Sequence, residues 1–424
     1  MKQNNTLVWQ MKRTLLQFSE KISDGLTRPK LKFLVQMLYG MLASHSVMLT
    51  DIGRSLQEEI SLKKLEDRLS RNLKDFRRDI DCVRYNYLET VKPFVDEETI
   101  FCLDPGDICK KNNRHQEGMG PIHDGSERRI AFGWQLIEMT ALTHKKKLPI
   151  PVYTRVVSPS DPMADTQTME ILSAIRACQQ TFGPVGIFTM DRAMDTNAIY
   201  AHCFATQQRF IIRARMTRNL MIDDETVEVA QIAKQMRGGF HLEHVDKHGI
   251  KRNLKASFRP VRLPNYPDKT LTLVVITGFS KDPFLLLTNL SVEGKQTCLR
   301  VAKTYLCRWR TEEYYRFKKN QFCLENIRVR SLDSICSLVF LQMLLSGWLA
   351  ILANKKGESE LLAAIFLRAK RVYEIPDFTL YAVADGIFHI LKFAAHGITF
   401  ALLRPPRSQQ LSLFSPCIFN YSAA

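Results

Sequence analysis

Two segments of this chain share one pattern, an apolar run that stops at a carboxylate: Ile100-Phe-Cys-Leu-Asp104 and Ile187-Phe-Thr-Met-Asp191. Each reads as a short buried strand, and a carboxylate at the C-terminal end of such a strand is held rigidly at the sheet edge, where ligands of α/β sheets gather. Two carboxylates placed this way can share divalent cations, since hard ions such as magnesium prefer oxygen ligands. The plainer reading makes each aspartate a cap or turn residue, and Asp104-Pro-Gly-Asp107 is a good turn sequence by itself.

The surroundings of these strands fix the architecture. Ile130–Leu142 and Pro149–Val157 read as further strands, Ala164–Thr181 and Thr196–Thr206 as helices, and Phe210-Ile-Ile-Arg213 as another strand. Strands first, then alternating strand and helix, imply an α/β chain built on a mixed sheet. The polar stretch Lys110–Arg128, with Gly118, Gly120 and Gly125, reads as a mobile loop.

Residues 1–95 look all-helical. Leu31–Leu42 repeats apolar residues at helical spacing, and two shorter segments follow, Met48–Leu56 and Ser61–Leu73, the second opened by a Ser61 cap. Short helices with a tight joint resemble a helix-turn-helix, so this part is expected to form a helical DNA-binding domain. Residues 96–214 would be the first part of the α/β core. Residues 215–290, dominated by runs such as Leu271-Thr-Leu-Val-Val-Ile-Thr277, would be a β-rich insertion. Residues 291–403 would complete the core with C-terminal helices, and 404–424 would be a flexible tail.

Charge bears on the partner. Sixty Lys and Arg stand against 43 Asp and Glu, a formal net charge of +17, and an excess of that size favours a polyanion because each neutralised phosphate releases counterions. Ten scattered cysteines form no closely spaced metal-binding pairs, so they are read as reduced and structural, in a cytoplasmic protein. The N-terminal residues lack the continuous apolar core of a signal peptide. Ser334–Leu352 is long enough to span a bilayer, but basic residues flank it on both sides and it holds Ser334, Ser337, Gln342 and Ser346. It is expected to be a buried core helix, with no membrane partner.

The segment Tyr305-Leu-Cys-Arg308-Trp309-Arg310-Thr-Glu312-Glu313-Tyr-Tyr-Arg316-Phe-Lys318-Lys319 carries the most chemistry. At about 100° per residue, Arg308, Glu312, Arg316, Trp309 and Lys319 fall on one stripe with Tyr305, while Leu299, Leu306 and Phe317 form an apolar stripe elsewhere. A solvated face with an Arg308–Glu312 pair would look similar. It would not need Tyr, Trp and Arg gathered beside one glutamate, a combination suited to a phosphodiester backbone.

The spacing Tyr305-x2-Arg308-x3-Glu312-x6-Lys319 resembles the tyrosine–arginine–glutamate–lysine signature of bacterial DDE transposases of the insertion-sequence-four group. Thr311 stands where isoleucine is commoner, and Asp104-Pro-Gly departs from the commoner Asp-x-Thr-Asp form. Asp191-Arg-Ala-Met-Asp195 looks like the second acidic motif of that family. The resemblance implies a ribonuclease-H-like core whose Asp104, Asp191 and Glu312 are catalytic and bind two Mg²⁺ ions, with Mn²⁺ able to substitute. It further implies DNA contacts by Tyr305, Arg308, Trp309, Arg316 and Lys319. Cut-and-paste transposition would follow, with a homodimer pairing the terminal inverted repeats of double-stranded DNA and joining them to target DNA in a bacterial, nucleoid-associated setting. Asp107, Asp195 and Glu313 are second candidates within their motifs. The rival readings are a catalytically silent DNA-binding protein derived from a transposase, and a ribonuclease-H-like nuclease that only hydrolyses.

Overall fold

The computed structural model describes residues 2–110, 115–124, 129–143, 148–161, 165–236, 239–245, 250–354, 359–369 and 378–398; the expected tail at 404–424 lies outside them. Five helices come first: α1 (Lys2–Ile22), α2 (Arg28–Ser44), α3 (Leu49–Leu56), α4 (Leu62–Asp75) and α5 (Ile80–Val91). The α4 start is as expected, since the Ser61 side chain accepts from the Lys64 amide. Next come β1 (Ile100–Cys109), β2 (Gly120–Asp124), β3 (Arg129–Leu142), β4 (Pro149–Val157), α6 (Gln167–Phe182), β5 (Ile187–Met190), α7 (Asn197–Ala205) and β6 (Arg209–Arg213). Strand β2 falls inside the stretch expected to be a loop, where Gly120–Asp124 pair with Arg129–Gly133.

Strands β4, β3, β1, β5 and β6 lie side by side in that order. The first two pairings are antiparallel and the last two parallel. The sheet does not stop at β6. It continues through β7 (Asn219–Ile222), β8 (Glu225–Glu228), α8 (Val229–Gln235), β9 (Phe240–Val245), β10 (Lys251–Leu263), β11 (Tyr266–Thr277) and β12 (Phe284–Thr288). Because β12 pairs with β6, and β11 and β10 follow it outward, the β-rich segment extends the main sheet instead of forming a separate one. The segment also contains the helix α8.

The chain closes with α9 (Lys295–Leu306), α10 (Trp309–Gln321), α11 (Leu332–Asn354), α12 (Ser359–Arg368) and α13 (Leu380–Leu391). Helix α11 is the segment with membrane-like length, and 94% of its most apolar window is buried inside the protein. It packs on β4 and on α2, α4 and α5. Gly347 is what lets α5 approach, since a Cβ there would sit 2.0 Å from the Tyr87 hydroxyl. That hydroxyl donates to the Pro151 carbonyl of β4 at 2.6 Å. The elements described between Lys2 and Val91 are all helices, and they share one hydrophobic core with α11, α13 and one face of the sheet.

Helix α9 does not run on into α10 as the periodicity implied. The ladder tightens at Cys307–Arg308, where the Arg308, Arg310 and Thr311 amides donate three residues back. Leu306 belongs to a second, smaller core with β10 and β11, whereas Phe317 lies in the main core. The expected single apolar stripe is therefore two faces serving two cores.

Candidate active site

Asp104 and Asp191 are brought together by strand register. The parallel pairing of β1 with β5 ends at Leu103 opposite Met190, so the two aspartates are the next residues on neighbouring strands. Asp104 is not at the end of β1, as its turn-like sequence suggested. The strand runs through Pro105 and Gly106 because β3 offers an antiparallel partner for all ten of its residues. Past Leu103 the β5 side of β1 is unpaired, so a proline without an amide is tolerated there.

Arg308 stands at the joint between α9 and α10, facing these strands. Its Nη1 lies 2.9 Å from Asp104 Oδ2 and its Nη2 lies 3.2 Å from Glu312 Oε1. Glu312 is in the first turn of α10, where the helix dipole favours an acid. The Tyr305 hydroxyl, at the end of α9, donates to Asp191 Oδ1 at 3.4 Å, and Arg213 Nη1 is 3.8 Å from the same oxygen. Asp104 and Glu312 thus share one guanidinium, and Asp191 is held beside them by Tyr305 and Arg213. Asp104 is the most enclosed, with 17% of its side chain exposed, while Asp191 and Glu312 keep 31% and 37%.

The electrostatics follow from this crowding. Burial pushes the Asp104 carboxyl up to about 6, repulsion from Asp191 and Glu312 adds to that, and Arg308 opposes it. Burial would lower the Arg308 value, but Asp104, with Asp191 and Glu312 behind it, holds the guanidinium above its ordinary range. Burial raises the Tyr305 phenol to about 12, so it acts as a hydrogen-bond donor at neutral pH. Three carboxylates short of positive charge, offering oxygen only, fit a hard divalent cation. Among the described residues, the one set of three ligand atoms mutually within 4.8 Å lies elsewhere, at Asp107, Cys109 and Asp124.

Beside Glu312 a cleft of about 390 Å³ is lined by Arg213, Arg252, His244, Phe279, Tyr305, Arg308 and Trp309, among others. Of the five residues expected to contact DNA, Tyr305, Arg308 and Trp309 therefore border the acids. Arg316 lies one turn beyond Glu312 on the same face of α10, exposed and outside the lining of the cleft. Lys319 is tied to Asp107 at 2.8 Å and Glu325 at 3.0 Å, away from the cleft. The second candidates are satisfied locally. Asp195 is buried and accepts from the Tyr200 hydroxyl and the Arg215 amide. Asp107 holds Lys319, and Glu313 pairs with Arg310 at 3.1 Å. Burial pushes Cys102, Cys178 and Cys203 up to about 12, leaving inert thiols.

Sequence reasoning missed Arg213, although Phe210-Ile-Ile-Arg213 repeats the pattern of an apolar run ending in a charge. It also missed Tyr315, whose hydroxyl donates to the Asp104 carbonyl at 2.5 Å. Gly106 makes room for that ring, since a Cβ there would lie 3.0 Å from it.

No curated protein matches this chain. Solved structures resemble it in part, two of which are as follows. One is a piggyBac transposase synaptic complex with hairpin DNA, at 12% identity and a TM-score of 0.48, covering 96% of this chain and 84% of that one. The other is Ciona intestinalis endonuclease V bound to a DNA containing an inosine followed by a ribo-adenosine, at 11% identity and a TM-score of 0.26, covering 56% and 99%. A family model described as a transposase DDE domain matches residues 115–346, more than half of the chain, including Asp191, Tyr305, Arg308, Glu312 and Lys319. The chain belongs to the transposase DDE domain family.

Proposed function

We propose that this protein is a cut-and-paste DNA transposase of the insertion-sequence-four group, with Asp104, Asp191 and Glu312 as its catalytic acids. The observation that supports this reading is that Asp104 and Glu312 share Arg308, with Asp191 next to Asp104 on the neighbouring strand and Glu312 lining a cleft rich in arginine and aromatic side chains. The order β4-β3-β1-β5-β6, two antiparallel pairings and then two parallel ones, supports a ribonuclease-H-like core. The reading brings with it a bacterial, cytoplasmic, nucleoid-associated homodimer acting on inverted-repeat ends.

Asp104, Asp191 and Glu312 would hold Mg²⁺ or Mn²⁺, two ions per site, and bound metal supplies activation of the attacking oxygen and charge for the leaving one. The chain's own residues do the rest. Arg308 balances the carboxylates and steers Asp104 and Glu312 toward one point. Tyr305 orients Asp191 through its hydroxyl. Arg213 and Arg252 present positive charge to a phosphodiester, and Trp309 offers a face for a base. Such catalysis is positioning and charge neutralisation, with no protein nucleophile.

The test uses end DNA from the chain's own element. Wild-type protein with Mg²⁺ should nick at the repeat ends and join pre-cleaved ends to a target plasmid, while Asp104→Asn should do neither. Nicking without joining would make it a hydrolytic nuclease. Binding without nicking would make it a silent DNA-binding protein.

A further inference from the structure

The sheet-facing side of α10 carries polar side chains where apolar ones would pack as well. Thr311, Tyr315 and Lys318 lie at i, i+4 and i+7, so they share one face of the helix. Each meets a polar group on the β1–β3 pair. The Thr311 and Thr140 hydroxyls share a hydrogen bond of 3.0 Å, with both residues fully buried. The Tyr315 hydroxyl donates to the Asp104 carbonyl. The Lys318 ammonium pairs with Glu138 Oε2, each side chain only 1% exposed, and the Thr154 hydroxyl donates to the other Glu138 oxygen at 2.9 Å. Lys318 also lies 4.9 Å and 5.2 Å from the Tyr314 and Tyr315 ring centres.

The targets of these contacts lie on alternate rungs of the β1–β3 pair. Cys102 pairs with Thr140 and Asp104 with Glu138, so the clasp grips the rung that carries the first acid and the rung two residues before it. Glu312 follows Thr311 directly. An apolar interface would hold α10 down but would let it slide or rotate, because hydrophobic contact is non-directional. Three directed contacts fix both its rotation and its rise. A buried ion pair adds little net stability over packed apolar residues, so stability alone does not account for it.

We propose that Thr311, Tyr315 and the Lys318–Glu138 pair are positioning residues that set Glu312 and Arg308 in register with Asp104. The proposal rests on the assignment of those acids as the catalytic set. The double variant Glu138→Leu/Lys318→Met removes both charges and leaves no unpaired ion, and Tyr315→Phe removes one hydroxyl; neither touches the cleft. Both should keep wild-type circular dichroism and end-DNA affinity. Cleavage kcat should fall about 10- to 100-fold with KM for DNA unchanged, and Mn²⁺ affinity by calorimetry should weaken by about 10-fold in the double variant.

Wild-type kcat and Mn²⁺ affinity in a folded double variant would overturn the proposal and leave the pair as packing. If the double variant fails to fold, Tyr315→Phe decides by the same readouts. A wild-type protein that binds Mn²⁺ but cuts no end DNA would instead overturn the transposase reading, and the clasp would then stand or fall on Mn²⁺ affinity.

Discussion

Asp104 and Glu138 are partners on one rung of the β1–β3 pair, point to the same face, and each meet a cation from the segment around α10. Their fates differ. Glu138 is sealed: both oxygens are taken, by Lys318 and Thr154, inside the core. Asp104 has one oxygen on Arg308, and its neighbours Asp191 and Glu312 are partly exposed beside it. Both are carboxylates paired with a cation, so the charges alone do not separate a structural acid from a chemical one. What separates them is whether the acid's other neighbours are neutralising groups or more acids. Burial, with repulsion from the two neighbouring acids added to it, holds Asp104 up at about 6.

This contrast can be broken by exchanging the consequences of removing each acid. The largest expected effect is on chemistry: Asp104→Asn or Glu312→Gln should lower end cleavage by about 10³-fold or more while leaving DNA binding in a gel-shift assay intact. Glu138→Leu alone should instead act on stability, since it strands a buried ammonium. Denaturant unfolding should show a loss of about 3–5 kcal/mol, and an unchanged midpoint would contradict the sealed-pair account.

Asp104→Asn should have the opposite sign. A carboxyl whose folded value lies above its unfolded one gives stability that is complete below pH 4 and lost as pH rises through about 6. With chelator at pH 7.5 the Asn variant should therefore be more stable than wild type by about 1–3 kcal/mol, a difference that vanishes below pH 4. An effect of similar size and opposite pH direction is expected at His45, stacked on Phe388 of α13 at 4.2 Å and lowered to about 4 by burial. Its folded value lies below its unfolded one, so its contribution is complete above about pH 6.5 and fades as pH falls toward 4. His45→Gln should flatten that part of the stability–pH curve. Smallest of all, Arg316→Ala should change stability by less than about 0.5 kcal/mol, because its side chain is exposed on the helix surface.

Much of this could be read from residues alone, and the misses have physical causes. The apolar strand segments leading to Asp104 and Asp191 were legible because a short apolar run followed by a charge has few other homes. The Ser61 cap and the buried α11 were legible for similar local reasons. The continuation of β1 through Asp104-Pro-Gly-Asp107 was not, because turn propensity is local and the pairing that overrides it comes from β3. The break at Cys307–Arg308 has no glycine or proline to announce it; two separate cores pulling on α9 and α10 produce it. Thr311 was visible as a departure from isoleucine, but its meaning depends on Thr140, far away in sequence. Lys319 matched its signature interval, yet it is tied to Asp107 and Glu325 and does not line the cleft.

The cation site proposed at Asp104, Asp191 and Glu312 can be seen in a crystal of the protein soaked in Mn²⁺, through the anomalous difference map. Density is expected among those three carboxylates, with Arg308 moved off Asp104. Density confined to Asp107, Cys109 and Asp124, with Arg308 still bridging Asp104 and Glu312, would contradict it.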